Sequence, residues 1–306
     1  MDITNSTIVL ITGASSGIGA ALAVAIAKYC AKVAICARRQ ERLEQIAQRI
    51  REAGGTPLAI LADVSKKAEA EKAVQNTIDT FGGIDVLVTN AGRGNVAAVE
   101  DTSQEQLESI FSVNVYSLWY TTSVALPVMK TQKRGHIINM SSLAGKAGFP
   151  YSSAYIAAKH ACVGFTAALR TELIDTGVEA TVICPVNVQT EWGQKTEGGS
   201  IEQLFMSGMQ QVSTPIEEQN DQPSDDIPPS LIAAFEASMV FLTPEAVAAV
   251  IIDTIQNPQK ADVFTHPGSE ELAISMAQDR RVTEKLQSNF FLGMRKAYKA
   301  MRKQEV

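Results

Sequence analysis

The chain has 306 residues, 45% hydrophobic and 20% charged, the make-up of a globular protein that can bury a large core. Its formal net charge of −6 argues against a general nucleic-acid binder, which needs a basic surface to meet phosphates. Cys30, Cys36, Cys162 and Cys184 lack C-x-x-C spacing, and His136, His160 and His266 lack metal-ligand spacing, so reduced buried thiols and no metal site are expected.

The N-terminal "MDITNSTIVLITG" has no positive region ahead of its apolar run and does not read as a signal peptide. No apolar segment is long enough to span a bilayer, so a cytoplasmic protein is expected. The first predicted strand is "TIVLIT" (7–12). "TGASSGIG" (12–19) follows it directly and opens the helix "IGAALAVAIAK". Strand, glycines, then helix is the context in which such a loop holds a pyrophosphate. Gly13 permits a tight turn, and Gly17 and Gly19 let backbone approach the anion at the helix start. After the second strand, "KVAICA" (32–37), a free ribose 2′-hydroxyl would usually meet an acidic residue. Here Arg38 and Arg39 stand instead, and two guanidiniums suit a 2′-phosphate, so NADP(H) is expected over NAD(H).

Four more strands are predicted at "PLAILA" (57–62), "IDVLVT" (84–89), "GHIINMS" (135–141) and "EATVICP" (179–185), with "ADVFTH" (261–266) as the seventh. Their near-continuous apolar runs fit strands buried on both faces, and helical stretches lie between them. The pattern predicts a doubly wound α/β fold with a parallel sheet of about seven strands and ligands at the carboxyl ends of the strands.

Ser142 ends the fifth strand, and Tyr155 and Lys159 follow in the helical "SSAYIAAKHACVGFTAALRTEL". Residues four apart share a helix face, and Lys159 can lean back toward the Tyr155 phenol. A nearby ammonium lowers a phenol's pKa, which fits Tyr155 for proton transfer to a carbonyl or from an alcohol. The Ser142 hydroxyl can hold the substrate oxygen.

The rhythm breaks after Pro185. Residues 190–243 show no strand, and the acidic "IEEQNDQPSDDIPPS" (216–230) reads as a loop between the more apolar "IEQLFMSGM" and "LIAAFEASMVF". Order resumes with Thr243 as an N-cap and Pro244 at the first helical position. The tail, about 269–306, ends in "FFLGMRKAYKAMRKQEV" and reads as a helix packed on its own domain or a neighbouring subunit rather than on a membrane surface.

In order and spacing, "TGASSGIG", "ADV" (62–64), "NAG" (90–92), Asn114, "INMSSLAG" (138–145) and "YIAAK" (155–159) together resemble the classical short-chain dehydrogenase/reductase (SDR) family. The likeness is close over residues 7 to about 190 and resumes weakly at "LTPEAVAAVI" and "ADVFTHP". It implies a single Rossmann-fold domain over 1–306 carrying a lid insertion at about 190–243. Tyr155 is then the general acid/base, Lys159 lowers its pKa and bonds the nicotinamide ribose, Ser142 orients the carbonyl, and Asn114 holds a water in the proton relay. The loop residues Gly13, Ser15, Ser16, Gly17, Ile18 and Gly19 hold the cofactor with Arg38 and Arg39. Asp63 and Val64 meet its adenine, Asn90, Ala91 and Gly92 line its cleft, and Pro185, Val188 and Thr190 face the nicotinamide. "CPVNVQTEW" departs from the family, with Val186 where glycine is usual, and Tyr151, Val186 and Trp192 are expected to line the substrate pocket. The resemblance implies an oxidoreductase for small-molecule ketones or secondary alcohols, homodimeric or homotetrameric through helices near 103–130 and 152–176. The rival readings are a non-catalytic dinucleotide sensor, a nucleotide-sugar epimerase, and a membrane-surface enzyme reducing a lipid ketone.

Overall fold

The computed structural model describes residues 1–212, 227–258 and 261–304. Seven strands form one parallel sheet in the order β3-β2-β1-β4-β5-β6-β7. They are β1 (Ile8–Thr12), β2 (Lys32–Ala37), β3 (Thr56–Leu61), β4 (Val86–Thr89), β5 (Gly135–Met140), β6 (Val178–Cys184) and β7 (Asp262–Phe264), each within two residues of its predicted start. The central strands β1 and β5 are buried along their whole length, as their unbroken apolar runs require. The edge strands β3 and β7 are only partly covered, and Leu61 stands exposed at the end of β3.

Helices cover both faces. On one side α1 (Gly17–Ala27), α2 (Gln40–Glu52) and α9 (Pro244–Gln256) press Leu22, Ile26, Ile46 and Ile251 onto Val9, Ile11 and Ile35. On the other, α3 (Lys67–Phe81), α5 (Ser117–Gln132) and α6 (Ser153–Glu172) bring Val74, Met129 and Leu169 against Leu10, Leu87 and Ile137. Strands and crossover helices thus close two apolar layers around one sheet. The helix α4 (Gln104–Phe111) opens with a Ser103–Gln106 capping box and runs through a π-helical turn at Ser112–Tyr116 into α5.

A third core lies over the carboxyl edge of the sheet. It joins α7 (Ile201–Val212), α8 (Pro229–Ser238), α10 (Ser269–Gln278), α11 (Arg280–Leu286) and α12 (Ser288–Gln304). Among the described residues of 190–243 there is no strand, only single bridges from Glu197 to Asn95 and from Leu242 to Val188. The polar stretch at 216–230 lies mostly outside the described residues. Thr243 accepts a hydrogen bond from the Ala246 amide at 3.2 Å with Pro244 at the first helical position. The C-terminal α12 packs along α7 with Phe290, Met294 and Tyr298 buried, so the apolar side of the tail lies inside the molecule rather than against a membrane. No helix among the described residues is long and apolar enough to cross a bilayer. Three cysteine thiols are buried, and burial pushes Cys36 up to about 12 and Cys162 up to about 11, whereas Cys30 is exposed, against expectation, on the turn after α1.

Candidate active site

The strand order reverses between β1 and β4, and their carboxyl ends open a crevice at that point. Gly13 turns the chain there with φ +67°, and a methyl group on it would lie 2.7 Å from Ala91 Cα. Asn90 Nδ2 donates to the Thr12 carbonyl at 2.9 Å, and the Ala91 amide donates to Thr12 Oγ1 at 3.1 Å, so the loop after β4 braces the loop after β1. A cleft of about 400 Å³ runs along this seam, lined by Gly13, Ser15, Ser16, Gly17 and Ile18, by Arg38, Arg39, Asp63 and Val64, and by Asn90, Ala91 and Gly92. Pro185, Val188, Thr190 and Lys159 also line it. Gly19 does not. A Cβ there would meet Asn90 Nδ2 at 2.5 Å, so this glycine serves close packing behind the loop rather than approach to a ligand.

The crevice fits a dinucleotide on its own chemistry. No side chain caps the start of α1, and its first residues Gly17 and Ile18 line the cleft, so the uncapped amides of that turn are available to an anion. Around the loop, Arg39 donates from Nε and Nη2 to Ser15 Oγ at 3.1 and 2.9 Å and from Nη2 to Ser16 Oγ at 2.7 Å. Arg38 stands 3.9 Å from Asp63, whose carboxyl is raised by burial but more strongly lowered by hydrogen bonds from Ser65 and by Arg38. Glu191 closes the rim. It accepts from Lys195 at 2.7 Å, from Arg42 at 2.6 Å and from Arg39 at 3.4 Å, and Lys195 and Arg42 pull its pKa down to about 2.

A second cavity, also about 400 Å³, adjoins the cleft. Ser142, Tyr155, Val186, Val188, Thr190, Glu191 and Trp192 line both spaces, so Ser142 and Tyr155 stand where the two meet. The Ser142 hydroxyl donates to the Pro185 carbonyl at 3.2 Å and accepts from the Ala144 amide at 3.1 Å, which fixes it at the end of β5. The Tyr155 ring tilts against Trp192 with centroids 5.1 Å apart, and Trp192 Nε1 donates to the Gly92 carbonyl at 3.2 Å. Lys159 Nζ donates to the Met140 carbonyl at 2.7 Å and lies 5.7 Å from the Tyr155 ring centroid, over its face. Burial pushes the phenol up, more than its hydrogen bond with Ser142 pulls it down, and burial pushes Lys159 down. The expected lowering of the Tyr155 pKa is therefore reversed by burial, and the same burial shifts Lys159 downward.

Asn114 sits in the π-helical turn behind the cleft wall. Its Nδ2 donates to Ile110 O and Arg93 O, both at 2.8 Å, and its Oδ1 accepts from the Arg93 amide at 3.3 Å. It thus patches a helix irregularity and clamps the strand-end loop next to Gly92. Tyr151 does not line the second cavity. It precedes α6 with φ +65°, and its ring stacks on Tyr298 at 4.0 Å. The walls that sequence reading missed are Leu143, Phe149, Phe205, Met239, Phe290 and Phe291. For the last four of these the apolar stretches at 201–209, 231–241 and 290–294 were a signal of composition alone, without a partner.

A model of the family described as short chain dehydrogenase matches residues 7–199. An uncharacterised oxidoreductase of Thermotoga maritima is 39% identical over 184 residues, covering 60% of this chain and 72% of the relative. A D-beta-hydroxybutyrate dehydrogenase of Cupriavidus necator is 38% identical over 211 residues, covering 65% and 80%. Among solved structures, a short chain dehydrogenase/reductase from Burkholderia phymatum in complex with NAD superposes with TM-score 0.73 at 24% identity over 92% of this chain and 96% of its own. An alcohol dehydrogenase from Thermococcus sibiricus complexed with 5-hydroxy-NADP gives 0.67 at 24%, over 85% and 96%. At that identity the two structures speak for the fold. The matched residues 7–199 hold the glycine loop, the ends of β1, β4 and β5, and the tyrosine–lysine helix, and by that match the chain belongs to the short-chain dehydrogenase family of oxidoreductases.

Proposed function

We propose that the chain is an NADP(H)-dependent reductase of ketones, running in reverse as a dehydrogenase of secondary alcohols, with Tyr155 as general acid/base. The observation that carries this reading is that Tyr155 and Ser142 line both the cleft and the adjoining cavity. The dinucleotide, when bound, supplies the hydride to the carbonyl carbon or accepts it from the carbinol. Ser142 Oγ orients the substrate oxygen, and Tyr155 Oη gives that oxygen a proton in reduction and takes it back in oxidation. One hydride and one proton added to the C=O make the alcohol, and the phenol is reprotonated from solvent. Lys159, fixed on the Met140 carbonyl, would hold the ribose, and Asn114 would order a water for the proton relay. Arg38 and Arg39 support NADP(H), since the two solved neighbours carry different dinucleotides and leave the choice to this chain's own residues. Exposed Tyr116 and Trp119 on the α4–α5 segment support self-association as a homodimer or homotetramer.

The test follows nicotinamide absorbance with a panel of ketones. The wild type should consume NADPH faster than NADH. Tyr155→Phe should lose roughly 10²–10⁴-fold in turnover while still binding NADPH. Full activity in Tyr155→Phe would sink the mechanism.

A further inference from the structure

The segment 185–188 borders both the cleft and the cavity. The Pro185 carbonyl accepts from Ser142 Oγ at 3.2 Å, Val186 and Val188 line both spaces, and Asn187 lines the cavity. Backbone holds one side of this segment. The Leu242 amide donates to the Asn187 carbonyl and the Gln189 amide to the Leu242 carbonyl, both at 2.9 Å. A single side chain holds the other. His266, buried just beyond β7, receives the Val186 amide on Nδ1 at 3.3 Å and sets Nε2 2.9 Å from the Asn187 carbonyl. Its own carbonyl accepts from Ser269 Oγ at 2.6 Å, which ties it to the head of α10.

These partners fix the tautomer. A backbone N–H only donates, so Nδ1 is bare, and a carbonyl only accepts, so Nε2 carries the hydrogen. The ring is therefore neutral while it holds both peptide groups. The Thr265 hydroxyl lies 2.7 Å from Nδ1. A second proton would sit on Nδ1 and take Thr265 Oγ1 as its acceptor, leaving the Val186 amide facing a donor. Burial lowers the pKa of His266 more than the hydrogen bond to Asn187 raises it. The neighbouring elements carry Cys184 at the end of β6, Asp262 on β7 paired with Lys146 at 2.8 Å, Glu236 on α8, and Glu270 and Glu271 on α10. Among the described residues none of these hydrogen-bonds the ring.

We propose that His266 is a positioning residue for the reaction: its neutral imidazole latches the wall at 185–188, and protonation of Nδ1 releases that wall together with its hold on Ser142. The assignment rests on reading Ser142 and Tyr155 as the groups that meet the carbonyl. Tyr155 alone gives reduction no reason to slow in acid, since reduction uses the protonated phenol. A latch that opens in acid does.

The experiment follows NADPH consumption on the ketone panel from about pH 5 to about pH 8, against enzyme-free blanks. Over the same range, the imidazole nitrogens and the Val186 amide are followed by NMR on full-length protein saturated with NADP⁺. At neutral pH His266 should show the Nε2–H tautomer. The Val186 amide should shift with the His266 titration, at a midpoint below the usual histidine value of about 6.5. The kcat of reduction should fall through that midpoint as pH drops. His266→Phe fills the space without hydrogen bonds and should lower kcat at neutral pH about tenfold, with no acid limb left. His266→Gln offers a donor and an acceptor that never charge, and should regain part of that rate, also without the limb. A merely structural role would lower Tm and leave the pH profile alone. Separate midpoints for the ring and the Val186 amide, a reduction rate level down to about pH 5, or an acid limb that persists in both variants would overturn the proposal. Matching midpoints with no NADPH consumed on any ketone would keep the latch and remove the reductase reading. Consumption with separate midpoints would do the reverse.

Discussion

Tyr155 is 6% exposed and lies against Trp192, where desolvation makes its phenolate costly. A phenol held above its ordinary value stays protonated through neutral and mildly alkaline pH. The sign follows from the acid/base role proposed for Tyr155. Reduction uses the protonated form, so its rate should be flat from neutral pH upward until the raised pKa is approached. Oxidation uses the phenolate, so its rate should climb by about tenfold per pH unit below that pKa. Initial rates in both directions across a pH series check this, and an oxidation rate already level at neutral pH would contradict it. Beside the cleft, Glu191 holds Arg39, Arg42 and Lys195 together. Arg39→Leu removes the guanidinium nearest the loop serines and should shift the preference from NADPH toward NADH by about tenfold or more in kcat/KM, a lost charge-assisted contact. Glu191→Gln should leave Arg39 less engaged and so bind NADPH no more weakly than the wild type. Both arginines stood out in the sequence as an unusual pair after a strand. Glu191 did not, because its partner Arg39 is 152 residues away in the chain.

Helices α7 and α12 cross backbone to backbone. A Cβ on Gly208 would lie 2.6 Å from the Phe290 ring, and one on Gly293 would lie 2.8 Å from Gly208 Cα and collide with the Ser207 carbonyl. Gly293→Ala should therefore push α12 outward, destabilise the fold by about 1–3 kcal/mol and raise the ketone KM, while the dinucleotide Kd stays unchanged. Thermal unfolding and calorimetry on one preparation read both effects. The contrast with the sheet explains what was readable. Each strand announces itself through a local run such as "IVLIT" or "VLVT", because burial on both faces demands an unbroken apolar string. The packing of α7 depends on Phe290 and Gly293, some eighty residues later, and no local pattern in "IEQLFMSGM" points to them. The latch at His266 was invisible for the same reason, because Val186 and Asn187 stand 80 and 79 residues before it.

Across the whole molecule, the segment matched by the family model ends at 199, and the third core is assembled mainly from residues after it. The family-matched segment thus holds the cleft, and the core that covers it is built mainly from residues beyond that segment. The two parts meet at Tyr151. This residue holds a left-handed backbone that a bulky side chain resists, just ahead of α6. Its carbonyl accepts from the Ala97 amide at 2.9 Å, and its ring lies flat on Tyr298. Tyr298 in turn accepts from the Ala98 amide and donates to Asp101, both at 3.0 Å. The turn that aims the helix of Tyr155 is thus clamped by the last helix of the chain. An exchange of C-terminal halves between relatives, made to change substrate choice alone, would also disturb the alignment of Tyr155, the proposed proton donor. Such a graft has to bring a ring to position 298 or relax the turn at 151, and a transplant that does neither should arrive with the new pocket and a stalled reaction.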